Sequence, residues 1–219
     1  EWKGERLIGG DSAIMFGEGN ERKQLERAMH DAGRLPPGQS ATLKWPVLHE
    51  GSVPRFDPMT WDFRVTGSVE KPLRLTWDQF SHLPMTAVTA DMHCVTRWSR
   101  FDVRWEGVLF SDVMKLIAPK PEAKYVMVLA EQGYTSNVPL ADLLRPTTLF
   151  ALKHTGEPLP AEHGYPVRLV VPHLYAWKSV KWVRGLELMT KDAPGFWEQN
   201  GYNMYGDPFK EERYSDARF

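Results

Sequence analysis

The chain has 219 residues, of which 42% are hydrophobic and 25% are charged. These proportions are typical of a folded, soluble domain and exclude a disordered, collagen-like or disulfide-scaffold protein. The 27 Lys and Arg residues nearly balance the 28 Asp and Glu residues. Nucleic acid is therefore not expected as a partner, because binding its backbone requires an excess of cations.

No run of 18 apolar residues occurs, and no charged segment followed by an apolar one opens the chain. We therefore predict no membrane span. The expected location is the cytoplasm, with the periplasm as the alternative if an export signal has been removed. The 17 glycines and 17 prolines favour many turns and short strands, which indicates a β-rich or α+β architecture.

The first part of the chain predicts a helix and then an extended segment. Residues 18–33 have an apolar helical face and end at Gly33, so we predict a surface helix. Residues 34–58, called the strap here, contain five prolines and should run extended. We predict an N-terminal extension over residues 1–33 and one domain over residues 34–219.

The sequence of the domain predicts short strands separated by turns. Alternating Trp61, Phe63 and Val65 indicate a strand, and a strand stub with a short helix follows. Residues 87–98 predict a strand that leads into a loop with Cys94. Residues 103–121 predict a turn into an amphipathic helix with Leu109, Val113 and Leu116 inward. Further strands are expected within residues 124–130, 134–144, 148–160, 167–177 and 180–190. The aromatic tail, residues 194–219, is expected to pack on the domain.

Cys94 is the single cysteine, which excludes an intrachain disulfide, a cysteine-based structural zinc site and an iron–sulfur cluster. Arg97, Arg100 and Arg104 follow it within ten residues, and such a setting favours a thiolate that acts as a nucleophile or a metal ligand. The alternative is an inert, buried cysteine. A Cys–His hydrolase with His163 or His173 as base is a third possibility, although no protease cysteine motif is present.

A second basic cluster surrounds the apolar segment from residue 163 to residue 184. Its members are His163, Arg168, His173, Lys178, Lys181 and Arg184. With Ser179 and nearby backbone N–H groups, such cations suit a phosphate or another oxyanion. A solvated edge strand that carries protective charges remains an equal alternative. Tyr134 is a loop hydroxyl or a strand aromatic, and the tryptophans belong to the core or to a pocket wall.

Five ordered segments together resemble the molybdopterin-binding domain of the sulfite oxidase family. They are ADMHCVTRWS, RWEGVLFSDVMKL, GYTSNVPL, GEPLPAEHGYPVRLVVP and KSVKWVRGLEL. The resemblance extends from about Arg34 to the aromatic tail and is closest to the small stand-alone sulfite-oxidase-like oxidoreductases. It implies an α+β fold with a mostly antiparallel β core and surrounding short helices.

The resemblance also implies one molybdenum bound by a single pyranopterin, with no haem, and with Cys94 as the protein's ligand to the metal. Further contacts follow for the pterin and its phosphate: His49, His163, Arg168, Ser179, Val180 and Lys181. Tyr134 matches a tyrosine that faces the metal. Among the basic residues that follow Cys94, Arg97 or alternatively Arg100 is a candidate to attract a substrate anion. The sequence VTRWS after Cys94 departs from the arginine-bearing sequence of animal and plant sulfite oxidases, so their substrate pocket is not carried over.

The expected activity is a two-electron transfer of oxygen to or from a small substrate, such as a sulfite-like anion, an S-oxide or an N-oxide. Because the chain is expected to have no room for a haem domain, an external redox partner, such as a haem or flavin protein, is expected. The alternative is a non-catalytic module that binds the cofactor or a partner protein.

Overall fold

The computed structural model describes residues 11–215, with side chains from residue 19 onward. Its α-helices are α1 (Asp11–Asp31), α2 (Trp77–Ser81), α3 (Phe110–Leu116), α4 (Leu140–Leu143) and α5 (Phe196–Gln199). Its first strands are β1 (Ser40–Ala41), β2 (Asp62–Gly67), β3 (Leu73–Thr76), β4 (Thr86–His93), β5 (Trp98–Leu109) and β6 (Tyr125–Ala130). The others are β7 (Thr135–Pro139), β8 (Leu149–His154), β9 (Glu157–Pro158), β10 (Arg168–Val170) and β11 (Val183–Met189).

Two sheets form the body of the domain. The first has the order β1-β5-β8-β10, with β4 added to β5 and β9 added to β8. The second has the order β3-β2-β11-β6-β7. Within the described chain the β1–β5 and β2–β11 pairings are parallel and the other pairings are antiparallel. The predicted α+β fold with a mostly antiparallel core is therefore confirmed.

The helix predicted over residues 18–33 is present, but it begins earlier, at Asp11. It ends at Asp31, and Gly33 has the left-handed φ of 67° that favours glycine after a helix. The Glu26 carboxylate accepts a hydrogen bond from the Ala41 N–H at 2.9 Å, which ties the helix to β1. The boundary between this extension and the domain stays a prediction. None of the helices within residues 11–215 has the length and apolarity needed to cross a membrane.

The three apolar side chains predicted to lie on the inner face of β2 are buried, although Asp62 between two of them is buried as well. Trp61 is 4% exposed and Phe63 and Val65 are fully buried. Phe63 lies 5.0 Å from Phe80 between ring centroids, and Phe150 is a further neighbour at 5.2 Å. Burial of such aromatic side chains supplies much of the hydrophobic stabilisation of a domain of this size.

The predicted turn before α3 is wrong, because that region belongs to the long strand β5. Gly107 does not turn the chain but allows a close approach to β8: a Cβ at this position would lie 2.0 Å from the Phe150 carbonyl oxygen. The register shifts between Glu106 and Gly107, as at a β-bulge. Val113 points inward as predicted, whereas Leu116 is 48% exposed and Leu109 ends the strand.

The aromatic tail packs on the domain through a buried ion pair. The Lys178 ammonium lies 2.6 Å from the Glu198 carboxylate on α5, and both side chains are fully buried. The Lys178 ammonium also donates to the Asn137 and Met204 carbonyl oxygens. The Trp177 indole N–H donates to Glu198 at 2.7 Å. The predicted packing of the tail is thus confirmed up to residue 215, while Phe219 lies outside the described residues.

Replacing Lys178 by methionine should destabilise the protein by about 3–5 kcal/mol, because the Glu198 carboxylate would then remain buried without its partner. The double variant Lys178→Met with Glu198→Gln should recover most of that loss, because no uncompensated charge remains. Urea unfolding of both variants measures the difference. If both variants lost the same free energy of unfolding, the unpaired Glu198 charge would not be the main cause of the destabilisation.

Candidate cofactor site

One cavity of about 540 Å³ contains most of the residues predicted to carry function. Eight of the nine predicted site residues line it: His49, Cys94, Tyr134, His163, Arg168, Ser179, Val180 and Lys181. These residues come from the strap, from the end of β4, from the start of β10 and from the loops before β7, β10 and β11. The fold therefore joins segments that are more than 100 residues apart in the sequence.

Cys94 lies directly after β4 in a tight turn. The Arg97 N–H donates to the Cys94 carbonyl at 3.0 Å, and the Cys94 N–H donates to the Trp98 carbonyl at 2.8 Å. Arg97 has a left-handed φ of 73°, which closes the turn. The Cys94 side chain is 7% exposed, and its sulfur accepts a hydrogen bond from the Thr96 hydroxyl at 3.1 Å. The turn thus presents one thiol to the cavity.

Arg97 is the one predicted site residue that does not line the cavity. Its guanidinium lies beside Gly38, where an added Cβ would be 3.0 Å from Arg97 Nη1 and 2.7 Å from Glu211 Oε1. The left-handed turn directs this side chain to the exposed surface, so its position does not support the predicted attraction of a substrate anion.

Of the other two arginines near Cys94, Arg104 has an acidic partner, whereas Nη1 of Arg100 is buried with no hydrogen-bond partner among the described residues. Arg104 pairs with Glu106 at 3.3 Å, and the Arg100 guanidinium lies 5.0 Å from the centre of the Trp45 ring. A strand advances about 3.3 Å per residue. Arg104 lies opposite Thr89 on β4, five residues before Cys94, so the strand carries it away from the thiol. The basic setting inferred from their spacing is therefore wrong for Arg104.

The buried guanidinium of Arg168 dominates the electrostatics of the cavity. The side chain is 3% exposed and donates to the His163 carbonyl at 3.1 Å. Among the described residues its Nε has no acceptor and no carboxylate lies within 4 Å of it. Burial lowers the pKa of Arg168 to about 10, so it remains charged at neutral pH. Because an unpaired buried charge is costly, this group calls for a bound anion.

Lys181 adds a second cation on the same side of the cavity. Its ammonium donates to the carbonyl oxygens of Leu48 at 2.7 Å and Glu162 at 2.6 Å. Burial and then the Arg168 charge lower the pKa of Lys181 to about 7. Gly164 permits this arrangement, because a Cβ there would lie 3.0 Å from Arg168 Cβ and 3.3 Å from Lys181 Cα. Arg168 and Lys181 are therefore neighbours in the cavity, and neither forms an ion pair with a carboxylate of the described residues.

His163 and the Ser179–Lys181 turn complete the polar end. The His163 ring stacks on Trp45 at 3.7 Å, and its Nδ1 has no partner among the described residues. Burial and then Lys181 lower the pKa of His163 to about 4, so the imidazole is neutral at pH 7. The Ser179 hydroxyl accepts from the Val171 N–H at 2.9 Å, which shapes the turn. This end offers both cations and neutral donors to an oxyanion.

The other members of the second basic cluster serve the structure. His173 contacts Asp142 at 3.0 Å, and Lys178 pairs with Glu198 as described above. Arg184 pairs with Asp62 at 2.8 Å. The cluster therefore divides into three groups that line the cavity and three that hold the fold, a division that spacing along the chain does not show.

The strap covers one side of the cavity. His49 lies there with its Nδ1 3.0 Å from the Gly51 carbonyl and its ring 5.2 Å from that of Trp182. The Gln132 amide donates to the Ser52 carbonyl at 2.9 Å, and the Ser52 N–H donates to the Gln132 side-chain oxygen at 3.3 Å. These contacts place the strap against the loop that precedes Tyr134.

Aromatic side chains form the wall next to Cys94. Of these residues, only Tyr134 was predicted from the sequence to belong to the site. The wall consists of Trp98, Tyr134, Trp177, Phe196, Trp197 and Tyr202. The Tyr202 ring stacks on Trp197 at 4.9 Å and meets Trp177 edge-on at 5.0 Å. The Tyr134 hydroxyl donates to the Trp177 carbonyl at 3.0 Å, and burial raises its pKa, which keeps it neutral. The aromatic tail was the available signal for this wall.

A cavity lined by buried cations, one thiol and aromatic side chains is suited to an anionic cofactor. The sequence profile described as "Oxidoreductase molybdopterin binding domain" matches residues 50–197. The chain belongs to this family and is a molybdenum cofactor-dependent oxidoreductase, which decides against the non-catalytic alternative.

Known proteins support the same assignment. The chain is 46% identical over 190 residues to the oxidoreductase YuiH of Bacillus subtilis, covering 86% of this chain and 96% of that protein. It is 30% identical to the protein-methionine-sulfoxide reductase catalytic subunit MsrP of Gluconobacter oxydans, over 69% of this chain and 54% of that protein. The sulfane dehydrogenase SoxCD of Paracoccus pantotrophus has the same fold (TM-score 0.61, 24% identity), over 70% of this chain and 43% of that one.

The residues present fit the molybdenum cofactor. Among the side chains of residues 19–215, no cluster of three or more His, Cys, Asp or Glu could hold a metal. A metal at Cys94 would therefore take its other ligands from a bound cofactor. Softness favours the thiol as the protein's contribution. The unpaired Nε of Arg168 and the Lys181 ammonium suit the phosphate of the pyranopterin.

The pKa of Lys181 predicts a pH dependence of cofactor retention. Its pKa of about 7 in the free protein means that the ammonium loses its proton as the pH rises above 7, whereas a bound phosphate favours the charged form. Cofactor affinity should therefore fall from pH 7 to pH 9, by up to roughly tenfold per unit. Pterin retained after gel filtration measures this, and Lys181→Arg should flatten the profile. An equal fall in that variant would contradict the role of Lys181.

Proposed function

We propose that the protein transfers an oxygen atom between the cofactor and a neutral organic S-oxide or N-oxide. In the direction of reduction, the oxide, two electrons and two protons give the reduced compound and water. The bound cofactor supplies a metal that exchanges oxygen and changes by two electrons. An external partner, for which a haem or flavin protein is suitable, supplies or removes these electrons.

The aromatic wall beside Cys94 is the observation that carries this proposal. Cys94 packs with Tyr175 and Trp177 in one cluster, to which Trp197 and Tyr202 contribute. An anion such as sulfite requires cationic donors in this region. Two cations line the cavity, Arg168 and Lys181, and both interact electrostatically with Cys94. We assign both to the cofactor phosphate, which leaves neither for a substrate anion. An apolar wall instead suits the methyl or alkyl groups of a neutral oxide, and its rings make favourable contacts with sulfur.

The residues of this chain have separate tasks in the proposed reaction. Cys94 holds the metal, and Arg168 with Lys181 holds the phosphate. Trp177 and Trp197 exclude water and orient the apolar part of the substrate. The Tyr134 hydroxyl, whose pKa is raised by burial, keeps its proton and so serves as a hydrogen-bond donor to a substrate oxygen when it leaves the Trp177 carbonyl. The methionine-sulfoxide reductase among the relatives, named for such a substrate, supports this direction.

The test compares two substrate classes in the purified holoenzyme. Reduction of methionine sulfoxide, dimethyl sulfoxide and trimethylamine N-oxide is followed with a reduced viologen dye, and oxidation of sulfite with ferricyanide. We expect kcat/KM for the best neutral oxide to exceed that for sulfite by at least about tenfold, which corresponds to roughly 1.4 kcal/mol. A preference for sulfite would contradict the proposed substrate class.

A matched pair of tail variants tests the wall itself. Trp197→Ala should raise KM for the neutral oxide, whereas Phe209→Ala, an exposed tail aromatic outside the cavity, should not. Equal effects of both variants would contradict the wall's role. The absence of haem is a prediction that the visible absorption spectrum checks. The cytoplasmic location is likewise a prediction, checked by cell fractionation.

A further inference from the structure

The side chain of Thr96 has a position that the proposed function does not use. Its hydroxyl donates to Cys94 Sγ at 3.1 Å, and the side chain lines the cavity. Within the described part of the chain, this hydroxyl is the one hydrogen-bond partner of the sulfur. The contact therefore joins a side chain of the cavity lining to the sulfur assigned to the metal.

The backbone of the turn places Thr96 beside Cys94, and the turn does not depend on the hydrogen bond between their side chains. The turn of residues 94–97 is closed by the bond from the Arg97 N–H to the Cys94 carbonyl, and the strand pairing resumes with the Cys94 N–H on the Trp98 carbonyl. Neither bond involves the Thr96 side chain, which is exposed. Removing the Thr96 hydroxyl should therefore leave the turn intact. Support of the turn is thus not the reason why this hydroxyl points at the Cys94 sulfur.

We propose that Thr96 is a positioning residue that donates a hydrogen bond to the metal-bound sulfur of Cys94 and raises the reduction potential of the molybdenum. A hydrogen bond to a cysteine ligand draws electron density from the sulfur and so reduces its donation to the metal, which favours the reduced state. A higher potential suits an enzyme that accepts electrons before it reduces an oxide. The inference rests on the proposed function, because it requires Cys94 as the ligand.

The test uses the holoenzyme and three variants. Thr96→Val removes the hydroxyl at nearly constant shape, and Thr96→Ser restores it. Thr89→Val makes the same exchange on β4 outside the cavity and serves as the control. Redox titration followed by the paramagnetic molybdenum signal gives the potential, and metal analysis gives the cofactor content. We expect a lower potential and an altered signal in Thr96→Val, and wild-type values in Thr96→Ser and Thr89→Val.

Several outcomes would overturn the inference. The first is an unchanged potential in a fully loaded Thr96→Val protein, with only KM altered, because the hydroxyl would then contact substrate instead of sulfur. The second is a Thr96→Ser variant that keeps the shifted potential. If Thr96→Val does not retain cofactor, Thr96→Ala replaces it in the same titration. Failure of the proposed function is seen separately. In that case the Cys94→Ser protein contains as much molybdenum as the wild type, or the wild type prefers sulfite as its substrate.

Discussion

Replacing Cys94 by serine should abolish turnover and leave the fold intact. Serine is close in size to cysteine, and the side chain is small and 7% exposed, so the free energy of unfolding should change by about 1 kcal/mol or less. Its hydroxyl does not replace a thiolate as a soft metal ligand. Loss of groups that merely support a ligand costs about 10–100-fold, so loss of the ligand itself should cost more than about 100-fold.

Molybdenum analysis and steady-state turnover of the Cys94→Ser protein check this result. Arg168 and Lys181 remain in place, so some pterin should be retained while the metal environment changes. Thr89→Val, outside the cavity, should keep wild-type metal content and rate. A Cys94→Ser protein that turns over normally would show that the thiol is not the ligand and would return Cys94 to the alternative of an inert cysteine.

Replacing Arg168 by methionine should have opposite effects on the loaded and the cofactor-free protein. The guanidinium is buried without a carboxylate partner, so its removal relieves a desolvation cost in the cofactor-free state. A charge-assisted contact to phosphate contributes about 1.5–3 kcal/mol, so cofactor affinity should fall by roughly 10–150-fold. The cofactor-free variant should therefore unfold at no lower temperature than the cofactor-free wild type, while the loaded variant should lose its cofactor.

Thermal unfolding with and without cofactor, together with the pterin content after gel filtration, measures both effects. Arg104→Met is the matched control, because that arginine pairs with Glu106 outside the cavity and its loss should not change pterin content. Unchanged pterin content in Arg168→Met, or a large loss of stability in the cofactor-free variant, would contradict the assignment of Arg168 to an anion site.

Much of the fold was predictable because alternation and glycine positions act locally. Trp61, Phe63 and Val65 predicted β2 with its buried face, and Gly33 predicted the end of α1. The same local reasoning misjudged Gly107. A glycine after a polar stretch is compatible with a turn and with a bulge, and the choice depends on Phe150, more than 40 residues away.

The candidate site shows the same limit. The eight residues selected by the resemblance to a family lie around one cavity. Arg97, which was predicted from the basic residues near Cys94, lies outside it. The sequence did not show which cations of the second basic cluster lack an acidic partner. Lys178 and Arg184 pair with carboxylates that are distant in the sequence, Glu198 and Asp62. The aromatic wall was also hidden, since Trp197 and Tyr202 reach the cavity from the tail through the buried pair of Lys178 and Glu198.

The amino-acid sequence by itself determined the α+β class, the single thiol, most of the strands and the family of the cofactor. The class, the thiol and the strands follow from composition and periodicity, which are properties of neighbouring residues. The cofactor follows from the resemblance of five ordered segments to a known family. The tertiary structure decided which cations stay without a carboxylate, as at Arg168, and which side chains surround Cys94. Burial and ion pairing join groups that are distant along the chain, so the free energies that create a binding site are set only when the chain is folded.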